Sequence, residues 1–132
     1  MAETEEAIKL LKEAITKSNY DERFIILLHA LTPASDLKRN KILTKNSDII
    51  QNYSFMRYKD YVQKKIDEPK LHKHLKKQIY LRPKIYLYQA LFELSNGKKE
   101  KAKRLLAESL HPYTIDFVEY QLAKAILRNI KE

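Results

Sequence analysis

The sequence predicts an all-α protein of six to seven helices packed as antiparallel hairpins, a helical bundle. Three observations point there. One glycine and four prolines in 132 residues are too few for a turn-dense β fold, and 44% apolar content is enough for a packed core. Apolar residues recur along most of the chain at three- and four-residue spacing, which lines one side of a helix. The places where that spacing breaks carry helix-ending or helix-starting residues: Pro33, Asn46-Ser47-Asp48, Glu68-Pro69, Pro83, Asn96-Gly97 and Pro112. The whole chain reads as one domain with an N-terminal helical hairpin over residues 1–36, a basic helical middle over 37–84, and a hairpin plus final helix over 85–132.

Thr4 to Ser18 forms the first predicted helix, with Ile8, Leu11 and Ile15 on one face and Ala7 and Ala14 beside them; Glu3, Glu5 and Glu6 sit in the first turn, where the helix dipole favours negative charge. Glu22 to Leu31 forms a second. Its run Phe24-Ile25-Ile26-Leu27-Leu28 is apolar on every side, which places it centrally. After the breaker Thr32–Asp36, Leu37 to Thr44 makes a short helix. Ile49 to Ile66 makes a longer one capped by Asn46-Ser47-Asp48, with one stripe of Phe55, Tyr58, Val62 and Ile66 and another of Ile49, Tyr53 and Met56. Glu68-Pro69 starts a cationic helix, proline being favoured in the first turn, with Leu71, Leu75 and Ile79 pointing one way and Arg82-Pro83 ending it.

Ile85, Leu87, Tyr88, Leu91, Phe92 and Leu94 make the next stripe, stopped at Asn96-Gly97, where the lone glycine can take a left-handed conformation. Ala102, Leu105, Leu106 and Leu110 make the stripe after it, closed by Pro112. Thr114 caps a last helix to about Ile130, with Ile115, Val118, Leu122 and Ile126 on its face. The unit over residues 83–112 resembles a tetratricopeptide repeat: Ala90 and Ala102 stand at the family's small-residue positions, Gly97 at its turn and Pro112 near its terminal proline, while Ser109 replaces an alanine and Tyr86 a common tryptophan. The resemblance implies a scaffold for protein partners, and one such repeat needs neighbours to bury its apolar face.

The net charge of +9 is concentrated. Residues 37–84 hold 14 Lys or Arg against 4 acids, a net of +10, and the remainder holds 12 against 13, a net of −1. A concentrated basic segment attracts polyanions through its field. The candidate contacts are Lys64, Lys65, Lys70, Lys73, Lys76, Lys77, Arg82 and Lys84; Tyr58, Tyr61 and Tyr80, with Tyr53 beside them, are candidates for base stacking wherever their rings are exposed.

Other chemistries are poorly supplied. With no cysteine, disulfides, thiolate catalysis and cysteine-ligated zinc are excluded, and a single glycine rules out the usual phosphate-cradling loop. His72 and His74, two apart on a helix, face different ways and favour surface roles over a shared metal. Arg104 and His111 loosely resemble the Arg-x4-6-His signature of HEPN ribonucleases; the resemblance implies RNA cleavage, but Leu105 stands where that family often has a polar residue. The expectation is a non-enzymatic interaction module without cofactor, metal or identified small-molecule substrate. It binds an acidic protein or self-associates, with sequence-independent nucleic-acid binding as the alternative. Acidic residues in place of a positive leader, and no membrane-length apolar run, add an expectation of a cytoplasmic, membrane-free protein.

Overall fold

The structure, a computed structural model, describes residues 2–17, 21–32, 35–36, 38–78 and 81–109, with side chains from Ile8 onward. These residues form seven helices and no strand: α1 (Ala2–Lys17), α2 (Glu22–Leu31), α3 (Arg39–Lys45), α4 (Tyr53–Val62), α5 (Glu68–Leu75), α6 (Arg82–Ser95) and α7 (Lys99–Ser109). The expected helix over 114–130, with Leu110, His111 and Pro112, lies outside the described residues.

Caps account for the starts. Asp21 accepts from the amide of Arg23 ahead of α2, and Asp67 from the amide of Lys70 ahead of α5, satisfying N–H groups that have no partner inside the helix. Asn52 does the same for α4, accepting from both Ser54 and Phe55. Here the structure departs from the sequence expectation. Residues 46–49 are turns, Ile50 is buried as an anchor between α3 and α4, and the predicted 18-residue helix is a ten-residue one. Its second predicted stripe faces outward, leaving Tyr53 and Met56 exposed. Arg82-Pro83 opens α6 instead of closing α5, proline filling a first-turn position whose N–H needs no partner.

α4 and α6 end in the same way. At the end of α6, Gly97 has φ +80, its N–H bonds Leu94 O and that of Lys98 bonds Glu93 O. At the end of α4, Lys64 has φ +64, its N–H bonds Tyr61 O and that of Lys65 bonds Asp60 O. Both are Schellman closures, which satisfy otherwise orphaned carbonyls by turning one residue left-handed. Glycine does this without steric cost; lysine does not.

α6 is the central element. It pairs with α7 as a hairpin and also packs on α2 and α4; α2 packs in turn on α1 and α3, and α4 on α5. Every residue from Ile85 to Glu93 is buried, as are Ala102, Leu105 and Leu106 across the hairpin and Ile25, Ile26 and Leu28 of α2. Ala90 and Ala102 are among the buried residues, and their small side chains permit close approach of the two helices. Beside this core the Phe92 ring carries the His29 imidazole, stacked at 5.6 Å, and the Arg39 guanidinium, 4.5 Å from its centroid. Arg39 also donates to Ser95 Oγ and Asn96 Oδ1, both at 3.0 Å, which ties α3 to the end of α6. Burial, and secondarily the Arg39 charge, push the His29 pKa down from 6.5 to about 4.

Gly97→Ala should destabilise by about 1 kcal/mol, since no atom obstructs a Cβ there and only the left-handed φ opposes it, and Lys64→Gly should stabilise by about as much, both read from urea midpoints. His29 is held neutral in the fold, so below pH 6.5 the unfolded chain takes up a proton that the folded chain refuses. Stability should therefore fall by roughly 2–3 kcal/mol as pH drops from 6.5 to about 4, and His29→Leu should flatten that part of the curve.

Candidate polyanion-binding surface

Leu71 and Leu75 are fully buried, and their four-residue spacing turns the cationic positions of α5 outward. Lys70 and Lys73 on the helix, Lys76 and Lys77 just beyond it, and Lys64 and Lys65 in the preceding turn are all exposed. Among the described residues none of these six ammonium groups lies within ion-pairing distance of a carboxylate. Arg82 and Lys84 are half-buried in the first turn of α6.

The eight candidates do not converge on one spot. Lys64 and Lys65 form a ridge between two clefts. One, of about 580 Å³, adds Lys59 and the polar side of α3 at Asn40 and Thr44. The other, of about 510 Å³, adds Lys70 of α5 and Lys98 of the α6–α7 turn. Lys73, Lys76 and Lys77 line neither cleft. The exposed lysines at the end of α4 and on and just after α5 make up this outer ridge, with Lys59 and Lys98 beside Lys64 and Lys65 in the two clefts.

The tyrosines divide differently. Tyr58, expected as a stacking platform, is fully buried; its hydroxyl donates to Tyr88 O at 3.1 Å, and no ring face is open. Tyr61 is half-buried with its hydroxyl turned inward, and Tyr80 lies outside the described residues. The exposed ring is Tyr53, at 57% accessibility. Arg57 lies over it at 5.2 Å and donates to its hydroxyl, and His74 meets it edge-on at 5.1 Å. His74, half-buried, has Nε2 3.0 Å from Ser54 Oγ, so this histidine ties α5 to α4. Burial, then the Arg57 charge, lower its pKa.

Beneath the ridge runs a polar network that sequence reasoning missed. Gln89 and Glu93, four apart on α6, are 0% and 1% exposed. Tyr61 donates to Glu93 Oε1 at 2.8 Å, and Gln89 Nε2 donates to Glu68 Oε2 at 3.0 Å. With the Gln89 amide so oriented, its Oε1 faces His72 Nε2 at 2.9 Å, which must carry the proton. Lys101 from α7 pairs with Glu68 Oε2 and lies 3.8 Å from Glu93 Oε1. Four helices therefore meet through one connected set of groups. Burial and the bond to Glu93 push the Tyr61 pKa up to about 12. Burial works against charge on Lys101 and Glu68, but their mutual pairing outweighs it, raising the first pKa and lowering the second. One atom stays unmatched: Glu93 Oε2 is buried without a hydrogen-bond partner, the nearest cation being Lys98 Nζ at 3.8 Å. The available signal was the pair Gln89 and Glu93 inside an otherwise apolar run, because buried polar groups must be partnered.

Chemically the ridge can hold carboxylates or phosphates, whereas the network is a clamp between helices. Arg104 is exposed on α7, and His111, its partner in the HEPN-like spacing, lies outside the described residues. Among the described residues no group of three or more His, Asp or Glu could hold a metal ion, and no helix is long and apolar enough to cross a membrane.

Tyr61→Phe removes the donor to Glu93 and leaves that carboxylate further under-satisfied; a loss of about 1–3 kcal/mol in chemical denaturation is expected, and much less in a Glu93→Gln background. No protein-family model, curated protein or solved structure shows a significant match to this chain.

Proposed function

We propose that this chain is a non-enzymatic helical interaction module, with the α6–α7 hairpin as a tetratricopeptide-like scaffold and the α4–α5 lysine ridge as the docking surface for an acidic protein segment. The observation that carries this reading is the set of six exposed ammonium groups without carboxylate partners. Arg39 of the same basic middle is, by contrast, absorbed by the fold through Phe92, Ser95 and Asn96. Unpaired charges in a row cost self-repulsion, which an acidic partner relieves. The left-handed Lys64 supports the same reading: a strained backbone is kept at the centre of the ridge where glycine would be more stable.

A second reading, a phosphate-backbone contact with single-stranded nucleic acid, is favoured by Tyr53. An exposed aromatic ring beside Arg57 and His74, on the helix that leads into the ridge, is a stacking platform of the kind single strands use.

Fluorescence anisotropy with a labelled polyglutamate peptide and a labelled single-stranded oligonucleotide separates the two. The Lys73→Glu, Lys77→Glu double variant and Lys64→Gly should weaken polyglutamate binding, and raising salt should weaken it further. If the strand is the ligand, four phosphate contacts imply a roughly 50-fold loss between about 50 and 200 mM salt. Tyr53→Ala should then weaken strand binding about tenfold and leave the peptide unaffected. Affinity for both probes unchanged by the lysine substitutions would refute the ridge as a docking surface.

A further inference from the structure

A third cleft, of about 460 Å³, lies away from the ridge, where α1 and α3 flank α2. Residues four apart on a helix share a face, and such pairs build it: Ile8 and Lys12 on α1, Leu28 and Thr32 at the end of α2, Lys41 and Lys45 on α3 with Ile42 beside them. The interior is apolar. Leu28 is buried, whereas Ile8 and Ile42 are only half-buried and keep accessible surface. The two neutral polar side chains are already engaged, Thr32 Oγ1 donating to Leu28 O and Asn46 Nδ2 to Ile42 O, each at 2.7 Å. Lys12, Lys38, Lys41 and Lys45 stand around this interior, all exposed and, among the described residues, none within ion-pairing distance of a carboxylate. The one acid that lines the cleft, Asp36, accepts from the amide of Lys38 at 2.9 Å. Four cations and one acid around half-open apolar side chains match a ligand with the complementary distribution, an apolar body carrying one anionic end.

We propose that this cleft binds a fatty acid as its carboxylate, with the alkyl chain on Ile8, Leu28 and Ile42 and the carboxylate among the lysines of α1 and α3. Burial of methylenes supplies the affinity, roughly fourfold for each CH2 fully withdrawn from water. The lysines, whose hydrated point charges impose little geometry, supply the preference for an anionic head over a cationic one. Small-molecule sites share this build, mostly apolar with a few placed polar groups and a volume of roughly 300–1,000 Å³. An acidic amphipathic helix has the same two-sided chemistry but not the size: one turn of a helix about 10 Å across already fills roughly 420 Å³, and recognition of a helix in a groove reads anchors spread over two turns. The assignment is independent of acidic-partner docking, since it uses no residue of the ridge.

Isothermal titration of the full chain with octanoate, decanoate and decyltrimethylammonium, each below its micellar concentration, tests it. Decanoate should saturate one site per chain and bind about tenfold more tightly than octanoate, and the cationic amphiphile should bind more weakly than either. Lys41→Glu with Lys45→Glu, both at exposed positions that the fold tolerates, should weaken decanoate about tenfold. Lys73→Glu with Lys77→Glu, an equal change of net charge on the ridge, should leave it within about twofold; this pair separates a local site from the general field of a chain of net charge +9. Affinity independent of chain length, equal weakening by the two lysine pairs, several sites per chain, or equal binding of the cationic amphiphile overturns the proposal. Co-sedimentation with phosphatidylglycerol vesicles that Lys41→Glu with Lys45→Glu abolishes, in a chain that does not bind decanoate, would assign the cleft to a membrane surface instead. Binding of an acidic amphipathic helical peptide that decanoate fails to displace and the same variant abolishes would assign it to a partner helix. Either result overturns the fatty-acid assignment. Polyglutamate binding without decanoate binding overturns only this assignment; decanoate binding without polyglutamate binding overturns only the acidic-partner reading.

Discussion

The rest of the structure depends on the burial of α6 from Ile85 to Glu93. A helix covered on every side has no solvent-facing stripe on which to place polar residues, yet this one carries Gln89 and Glu93 at 0% and 1% exposure. Each must find partners on another element or leave a desolvated group unmatched. Gln89 does so through Glu68 and His72 of α5, and Glu93 through Tyr61 of α4, with Lys101 of α7 balancing the two carboxylates. Apolar packing among Leu, Ile and Tyr side chains would tolerate some sliding of these helices. Directional hydrogen bonds between buried groups tolerate far less, so the network sets the relative position of α4, α5, α6 and α7. A buried pair of this kind is not strong evidence for extra stability, because desolvation offsets much of the attraction, but it does favour one arrangement.

That arrangement also shapes the surface. The same elements that supply inward-facing polar groups supply the outward-facing lysines: α5 gives Glu68 and His72 to the network and Lys70 and Lys73 to the ridge, and the turn after α4 places Lys64 and Lys65 beyond Tyr61. The ridge and the network thus share the same supporting elements. Glu93, whose Oε2 is buried without a hydrogen-bond partner, is also among the residues that line the cleft beside Lys64, Lys65, Lys70 and Lys98.

The division of cations into internal and external ones has a physical basis. Arg39 and Lys101 lie where carboxylates, amides or aromatic faces replace their hydration, and so both can be withdrawn from water. The lysines of the ridge have no such neighbours among the described residues, and the flexible, strongly hydrated ammonium group stays outside. A net charge counted along the sequence treats both kinds alike.

Helical period, proline and glycine positions and charge segregation are local properties, so the residues determined them without help from the fold. α2 falls at Glu22–Leu31 as the periodicity predicts, α6 stops at Gly97, and the excess of positive charge lies in the middle of the chain. Where two local signals competed, tertiary packing decided. Asn46-Ser47-Asp48 and Asn52 are both competent caps, and Asn52 is the one that caps α4, with Ile50 buried ahead of it. The end of α4 had no glycine to announce it; the chain turns back at Lys64, which places Lys65 toward the cleft and Asp67 as the cap of α5. Tyr53 and Tyr58, five apart on one helix, could not be sorted into exposed and buried until α6 took its place against one side of α4. The pairing of Glu93 with Tyr61, 32 residues away, is likewise a consequence of the fold alone, since hydrogen bonds between distant segments leave no periodic trace in the sequence.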